Sequence, residues 1–113
     1  MGTTFGVQQG VGVVTVTGPL TAAGVDSFRE QFGGWWQSSP DVRNVVVDLG
    51  GVDFLDSAGL GTVIAILKRI AERGGDLKIA SLQKKVRMVF EITRAYKVFD
   101  ILDSVEEAVK ACG

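Results

Sequence analysis

The chain has 113 residues, of which 46% are hydrophobic and 22% are charged, with a net charge of −1, no histidine and one cysteine. This length supports a single domain, residues 1–113, and the composition is that of an ordinary globular protein without a membrane-spanning stretch. The lack of histidine and of a cysteine pair excludes Ser–His and Cys–His nucleophile pairs, an internal disulfide and most zinc sites. The first ten residues lack the basic and apolar segments of a signal peptide, so we expect a cytoplasmic protein with no membrane insertion.

Two strands and one helix are predicted in the first part of the chain. Residues 3–8 and 11–17 are rich in β-branched residues and are joined by a two-residue link, which predicts a hairpin. Thr21 is the expected amino-terminal cap of the first helix, in which apolar residues recur at helical spacing, namely Val25, Phe28, Phe32 and Trp35. We expect Gly33-Gly34 to weaken or end this helix. Only one of Trp35 and Trp36 can lie on the apolar stripe of this helix, so Trp36 is expected to be partly exposed, where it is available for a homodimer or partner contact.

Strands and helices alternate in the rest of the chain. Residues 44–49 are apolar apart from Asn44 and Asp48 and predict a central strand. A second helix follows with a wide apolar stripe, and Gly74-Gly75 closes it. The remaining predicted elements are a strand at 77–80, a third helix capped by Ser81, an edge strand at 98–101 and a last helix capped by Ser104. The order predicts an α/β fold: a mixed, mostly parallel sheet of four or five strands, covered by about four helices.

The junction between the third strand and the second helix is the most informative segment. Residues 50–60 read GGVDFLDSAGL and place the Ser57 hydroxyl near the amino end of a helix. Free backbone N–H groups and the helix dipole favour negative charge at such a position. Ser57 can therefore be a neutral cap or carry a phosphate. Asp56 is the alternative cap, and in that arrangement Ser57 occupies the first helical position with its hydroxyl outward.

This element order and the segment LGGVDFLDSAGLGTVIAIL, residues 49–67, resemble the STAS family, in particular the bacterial anti-sigma-factor antagonists of the sporulation and stress-response type. The resemblance runs from about Val11 to Val109, nearly the whole chain. It implies the STAS fold and a regulatory function. The unphosphorylated antagonist binds an anti-sigma factor, which is itself a serine kinase, and so releases the sigma factor. Phosphorylation switches the antagonist off, and a serine phosphatase resets it.

The resemblance also implies roles for individual residues. Ser57 matches the phosphorylated serine, Asp56 the acid beside it, and Gly59-Leu60 the turn that packs against the kinase. The full set of implied partner-binding residues is Thr21, Asp56, Ser57, Ala58, Gly59, Leu60 and Ile64. The chain departs from the family at Thr21, because family members commonly carry an acidic residue there, after Gly-Glu-Leu. The phosphoacceptor loop therefore receives no carboxylate from this position.

The sequence leaves two other classes of function open, an accessory subunit of a membrane complex and an enzyme. Free-standing STAS proteins also serve as accessory subunits of membrane transport or signalling complexes, a function that does not depend on Ser57. An enzyme is the weakest alternative, because only carboxylates and Ser57 remain for chemistry, and we expect no catalytic residue, metal or cofactor. Ten of the twelve basic residues follow residue 56. They predict solvated helix faces or a partner surface and no direct nucleic-acid contact, since exposed aromatic residues do not cluster among them.

Overall fold

Five strands form one mixed sheet in the computed structural model, which describes residues 1–112. The strands are β1 (Gly2–Gln8), β2 (Val11–Thr17), β3 (Val45–Gly51), β4 (Leu77–Ala80) and β5 (Asp100–Leu102). The helices are α1 (Val25–Gln37), α2 (Ser57–Glu72), α3 (Lys84–Ile92) and α4 (Val105–Cys112), with a 3-10 turn at Ala95–Lys97. The spatial order of the strands follows the chain, and only the pair of β1 and β2 is antiparallel. This arrangement confirms the predicted α/β fold and mostly parallel sheet.

Helices cover the two faces of the sheet unequally. The larger core packs one face against α1, α2 and α3, and its buried residues include Val14, Val47, Phe28, Ile70, Ile79 and Phe90. The smaller core packs α4 against the other face, with Val13, Val46, Ala80, Ala108 and Val109. Successive side chains of a strand point to opposite faces of the sheet, and both faces are covered at β3, so β3 is apolar on both sides. Cys112 is partly buried against the smaller core, and burial raises the pKa of its thiol.

α1 is longer than its sequence predicts. The helix continues through Gly33-Gly34 to residue 37, so the expectation that these glycines end it is wrong. Its carboxyl end is closed by the guanidinium group of Arg73, which donates to the main-chain oxygens of Trp36, Ser39 and Val42 over 3.1, 3.0 and 2.9 Å. Of these three oxygens only that of Trp36 belongs to α1, and a cation beside it satisfies a carbonyl group that has no partner within the helix.

Trp36 is buried and Trp35 is only half-buried, the reverse of the prediction. Trp36 is only 4% exposed and stacks on Phe32, with the Arg73 guanidinium 3.5 Å from its ring centre. Trp35 is half-buried and stacks on Phe5 of β1, with 5.2 Å between ring centroids. The prediction of a partly exposed Trp36 is therefore wrong, and this side chain offers no surface for a homodimer. Both tryptophans lie one turn beyond Phe32, at i+3 and i+4, so helical spacing alone does not separate them.

Two predicted helix caps are also wrong. α1 begins at Val25, after a turn, and no side chain caps it; the main-chain oxygen of Thr21 accepts the N–H groups of Gly24 and Val25 instead. Ser81 does not cap α3, because its φ of +67° lies in the left-handed region and the helix starts only after Gln83. Capping serines adopt extended backbone angles, which Ser81 lacks.

Two other predicted helix ends are confirmed. The Ser104 hydroxyl accepts the N–H of Glu107 at 3.1 Å and so caps α4. α2 ends just before Gly74, whose φ of +83° is typical of the glycine that follows a helix. β5 begins at Asp100, two residues later than predicted, because the 3-10 turn at Ala95–Lys97 is followed by its carboxyl-terminal cap at Val98.

Candidate functional site

Asp56 forms the amino-terminal cap of α2. Its backbone is extended, with φ −98° and ψ −176°, and its Oδ1 accepts the N–H of Gly59 at 2.8 Å. The second carboxylate oxygen accepts the N–H of Ala22, 34 positions earlier in the chain, at 3.0 Å. These two donors, first Gly59 and then Ala22, lower the pKa of Asp56 below its ordinary value of 3.8. The cap is therefore negatively charged at neutral pH.

Ser57 is the first residue of α2 and is exposed. Because Asp56 holds the cap, the hydroxyl of Ser57 is not needed for it. Within residues 1–112 the Ser57 Oγ forms no hydrogen bond to another group of the chain. Of the two arrangements that the sequence leaves open, the structure adopts the one with the Ser57 hydroxyl outward. Another protein can reach the hydroxyl there.

The start of α2 is held tightly against the segment that follows β2. Leu20 and Leu55 form an isolated parallel bridge, in which the Leu20 N–H donates to the Phe54 oxygen at 2.9 Å. Gly59 packs against the same segment, and a Cβ at this position would lie 2.2 Å from the Leu20 main-chain oxygen. Only glycine permits this approach. The loop before Ser57 is thus anchored along its length by main-chain contacts.

The seven predicted partner-binding residues gather around this helix end but differ in exposure. Ser57 is exposed, and Thr21, Asp56, Ala58 and Ile64 are half-buried; Thr21 lies beside the cap through its neighbour Ala22. Gly59 and Leu60 are buried, and only 8% of Leu60 is exposed. These two residues support the site from below and offer little surface. Contact between any of the seven and a partner stays a prediction.

The sequence profile of the STAS domain matches residues 4–108. The chain belongs to the STAS domain family. BtrV of Bordetella bronchiseptica, a candidate anti-sigma factor antagonist, is 30% identical over 102 residues, which cover 90% of this chain and 86% of BtrV.

Two solved structures share the fold of this STAS domain. The crystal structure of a candidate anti-sigma factor antagonist from Thermotoga maritima has a TM-score of 0.89 at 22% identity and covers 97% of this chain and 93% of its own. The Bacillus cell fate determinant SpoIIAA in its phosphorylated form has a TM-score of 0.72 at 18% identity, with coverage of 97% and 98%. At these identities the likeness establishes the fold.

Gly61 of the STAS domain is a residue of this surface that the sequence pattern did not single out. It lies one helical turn after Ser57 on the same face of α2 and is exposed. A Cβ at Gly61 would meet no atom within 4 Å, so the fold itself does not require glycine here. Glycine inside a helix costs about 1 kcal/mol relative to alanine. The sequence signal that could have identified Gly61 is a glycine inside a predicted helix, where alanine would be more favourable.

The electrostatics at the start of α2 are set by the helix end and by the Asp56 carboxylate. A phosphoryl group on Ser57 would add about −1.5 to −2 charges, which the amino end of α2 favours by about 0.3–1 kcal/mol and the adjacent Asp56 carboxylate opposes. Asp56 is a poor proton acceptor, because backbone N–H groups occupy both of its carboxylate oxygens and lower its pKa. The Asp56 carboxylate therefore does not serve as a general base for the neighbouring Ser57 hydroxyl.

Within residues 1–112, no three His, Cys, Asp or Glu side chains are grouped closely enough to hold a metal ion. None of the helices in this range has both the length and the apolar composition that a bilayer-spanning helix requires.

Proposed function

We propose that this STAS protein is an anti-sigma factor antagonist regulated by phosphorylation of Ser57. In the unphosphorylated form it binds an anti-sigma factor with serine kinase activity, through the surface around the amino end of α2. Phosphorylation by that kinase ends the binding, and a serine phosphatase restores it. The observation that carries the proposal is that Asp56 caps α2, which leaves the Ser57 hydroxyl exposed and free. The names of BtrV and of phosphorylated SpoIIAA support it.

The switch works because a phosphate affects the fold and the interface differently. On the free protein, the new charge lies in solvent at a helix end that favours it, so the fold stays intact. In a complex, the same charge would be buried against a partner that formed its contacts with a neutral hydroxyl. An unpaired buried charge costs about 3–4 kcal/mol, which weakens binding several-hundred-fold. Affinity therefore changes greatly without a large conformational change.

Phosphorylation is tested with purified protein. The chain is incubated with candidate anti-sigma factor kinases and ATP, and the added phosphate is located by mass spectrometry. We expect phosphate on Ser57 and none in the Ser57→Ala variant. Phosphate that appears only on other residues would contradict the proposal.

Binding is tested with the anti-sigma factor that phosphorylates the chain in this assay. Ser57→Asp is expected to weaken binding at least tenfold, because one negative charge reproduces part of the effect of a phosphate. Ser38→Asp is the matched control, since Ser38 is also exposed but follows α1 at the opposite end of the sheet. If Ser57→Asp binds as tightly as the wild type, charge does not control the complex. Co-purification with membrane ATPase components in that case would favour the accessory-subunit alternative.

The proposal assigns the protein a binding role without catalysis of its own. Its expected location is the cytoplasm, where a sigma factor and its anti-sigma factor act. The kinase and phosphatase activities belong to its partners.

A further inference from the structure

We propose that a groove beside Ser57 is a second part of the docking surface. The groove lies between the β3–α2 loop and α3, and the occupant that we assign to it is an apolar segment of the anti-sigma factor flanked by acidic residues. This inference rests on the proposed function, and it names a surface outside the seven residues discussed above.

The groove is lined almost entirely by apolar side chains. Phe54 and Leu55 of the β3–α2 loop form one wall, and Met88, Val89 and Ile92 of α3 form the other. Its volume is about 330 Å³, enough for two or three apolar side chains of a partner. Helical spacing places Met88 and Ile92 one turn apart, on the same face of α3.

Three of the seven large apolar side chains that are exposed within residues 1–112 line this groove. Phe54, Met88 and Ile92 are 57%, 52% and 77% exposed, and all three line the groove. By contrast, Val7 is similarly exposed at 54% but lies on β1, remote from the groove. Single exposed apolar residues are ordinary, whereas a contiguous group marks an interaction site. Aromatic and methionine side chains are also the types enriched at interface centres.

The charges around the groove indicate an acidic partner. Lys84 and Lys85 are the first two residues of α3, where the helix dipole disfavours positive charge, and the first turn contains no acidic residue. Neither lysine forms an ion pair within residues 1–112, and Lys85 lines the groove. The only acid among the lining residues is Asp53. The positive charges of Lys84 and Lys85 destabilise the amino end of α3, and no acidic side chain compensates for this within residues 1–112. A carboxylate of a binding partner would pair with them.

The groove is continuous with the phosphoacceptor site. Leu55 is separated from Ser57 by Asp56 alone, and the main-chain contacts of Leu20 hold this loop in place. A partner that detects the charge of Ser57 therefore covers the adjoining loop as well. A second copy of this chain fits less well, because a twofold contact through the same patch would bring like-charged lysines together.

The test uses the full chain and the anti-sigma factor that phosphorylates Ser57. Met88→Glu is expected to weaken binding at least tenfold, because it places a charge in the apolar groove. Val7→Glu, a change of similar exposure elsewhere on the surface, is expected to bind within twofold of the wild type. Lys85→Glu, which leaves the core untouched, is expected to weaken binding and to reduce its dependence on ionic strength. Far-UV circular dichroism checks that each variant is folded.

The outcomes separate this inference from the proposed function. If Ser57→Asp weakens binding while Met88→Glu and Lys85→Glu bind within twofold of the wild type, the groove assignment is overturned and the function stands. If Ser57→Asp has no effect, the proposed function itself fails. Sedimentation that shows a dimer lost on Met88→Glu, with binding to the anti-sigma factor unchanged, assigns the groove to a second copy and also overturns the inference.

Discussion

Two glycines of α2 are expected to respond to alanine in opposite directions. At Gly61 the added methyl group meets no atom within 4 Å, so the gain in helix propensity of about 1 kcal/mol is realised. At Gly59 the methyl group would lie 2.2 Å from the main-chain oxygen of Leu20 and 2.8 Å from Cδ1 of Leu55. A main-chain oxygen cannot rotate away, so we take the overpacking cost as about 3 kcal/mol, the upper part of its usual range. Subtracting the propensity gain leaves a net loss of about 2 kcal/mol.

The free energy of unfolding of both variants is measured by urea titration followed by circular dichroism. If the slope with urea is unchanged, the shift in midpoint reports the change in stability. In thermal scans, Gly61→Ala should raise Tm by about 4 °C, as expected for 1 kcal/mol in a domain of this size. A Gly59→Ala protein as stable as the wild type would show that α2 does not start against Leu20. The account of how Ser57 is positioned would then be refuted.

Two further predictions concern charged groups away from the site. Arg73→Met is expected to lower the free energy of unfolding by about 2–4 kcal/mol, because one main-chain oxygen in the last turn of α1 and two after the helix lose a charged donor. A loss below about 1 kcal/mol in urea titration would contradict this. Burial opposes the charge of Lys78, but hydrogen bonds to Asp100 and Asp76 at 2.7 and 3.2 Å outweigh it and raise the pKa of Lys78 above its ordinary value of 10.5. The stability that the Lys78 charge contributes is complete below pH 10.5 and is lost as the pH rises through the folded-state pKa. The difference in unfolding free energy between the wild type and Lys78→Met should therefore shrink in that range. A difference that stays constant up to about pH 12 would contradict this prediction.

Local sequence patterns predicted most of the architecture. The apolar run at 44–49 indicated a strand buried on both faces, and β3 is such a strand. Ser104 and Gly74 marked helix ends correctly, because a capping hydroxyl and a left-handed glycine act on groups within a few residues. The position of Ser57 at the start of α2 was predicted for the same reason.

The wrong predictions concern contacts between distant parts of the chain. Gly33-Gly34 weaken α1 by their own propensity, but the helix continues past them to Gln37, and Arg73, from the end of α2, donates to the Trp36 oxygen in its last turn. Whether Trp35 or Trp36 is buried depends on which of them meets Arg73 and which meets Phe5. None of these partners is visible in the local pattern.

The sequence by itself therefore determined the order of strands and helices, the helix end that presents Ser57 and the absence of histidine chemistry. Only the tertiary structure decided that Asp56 and not Ser57 is the cap, and it adds a hydrogen bond from Ala22, 34 positions away, to the second carboxylate oxygen. The tertiary structure alone also brings Phe54 beside Met88 and Ile92 to form the groove. The physical reason is that periodicity and capping act over a few residues, whereas burial and hydrogen bonding depend on which segments the fold brings together.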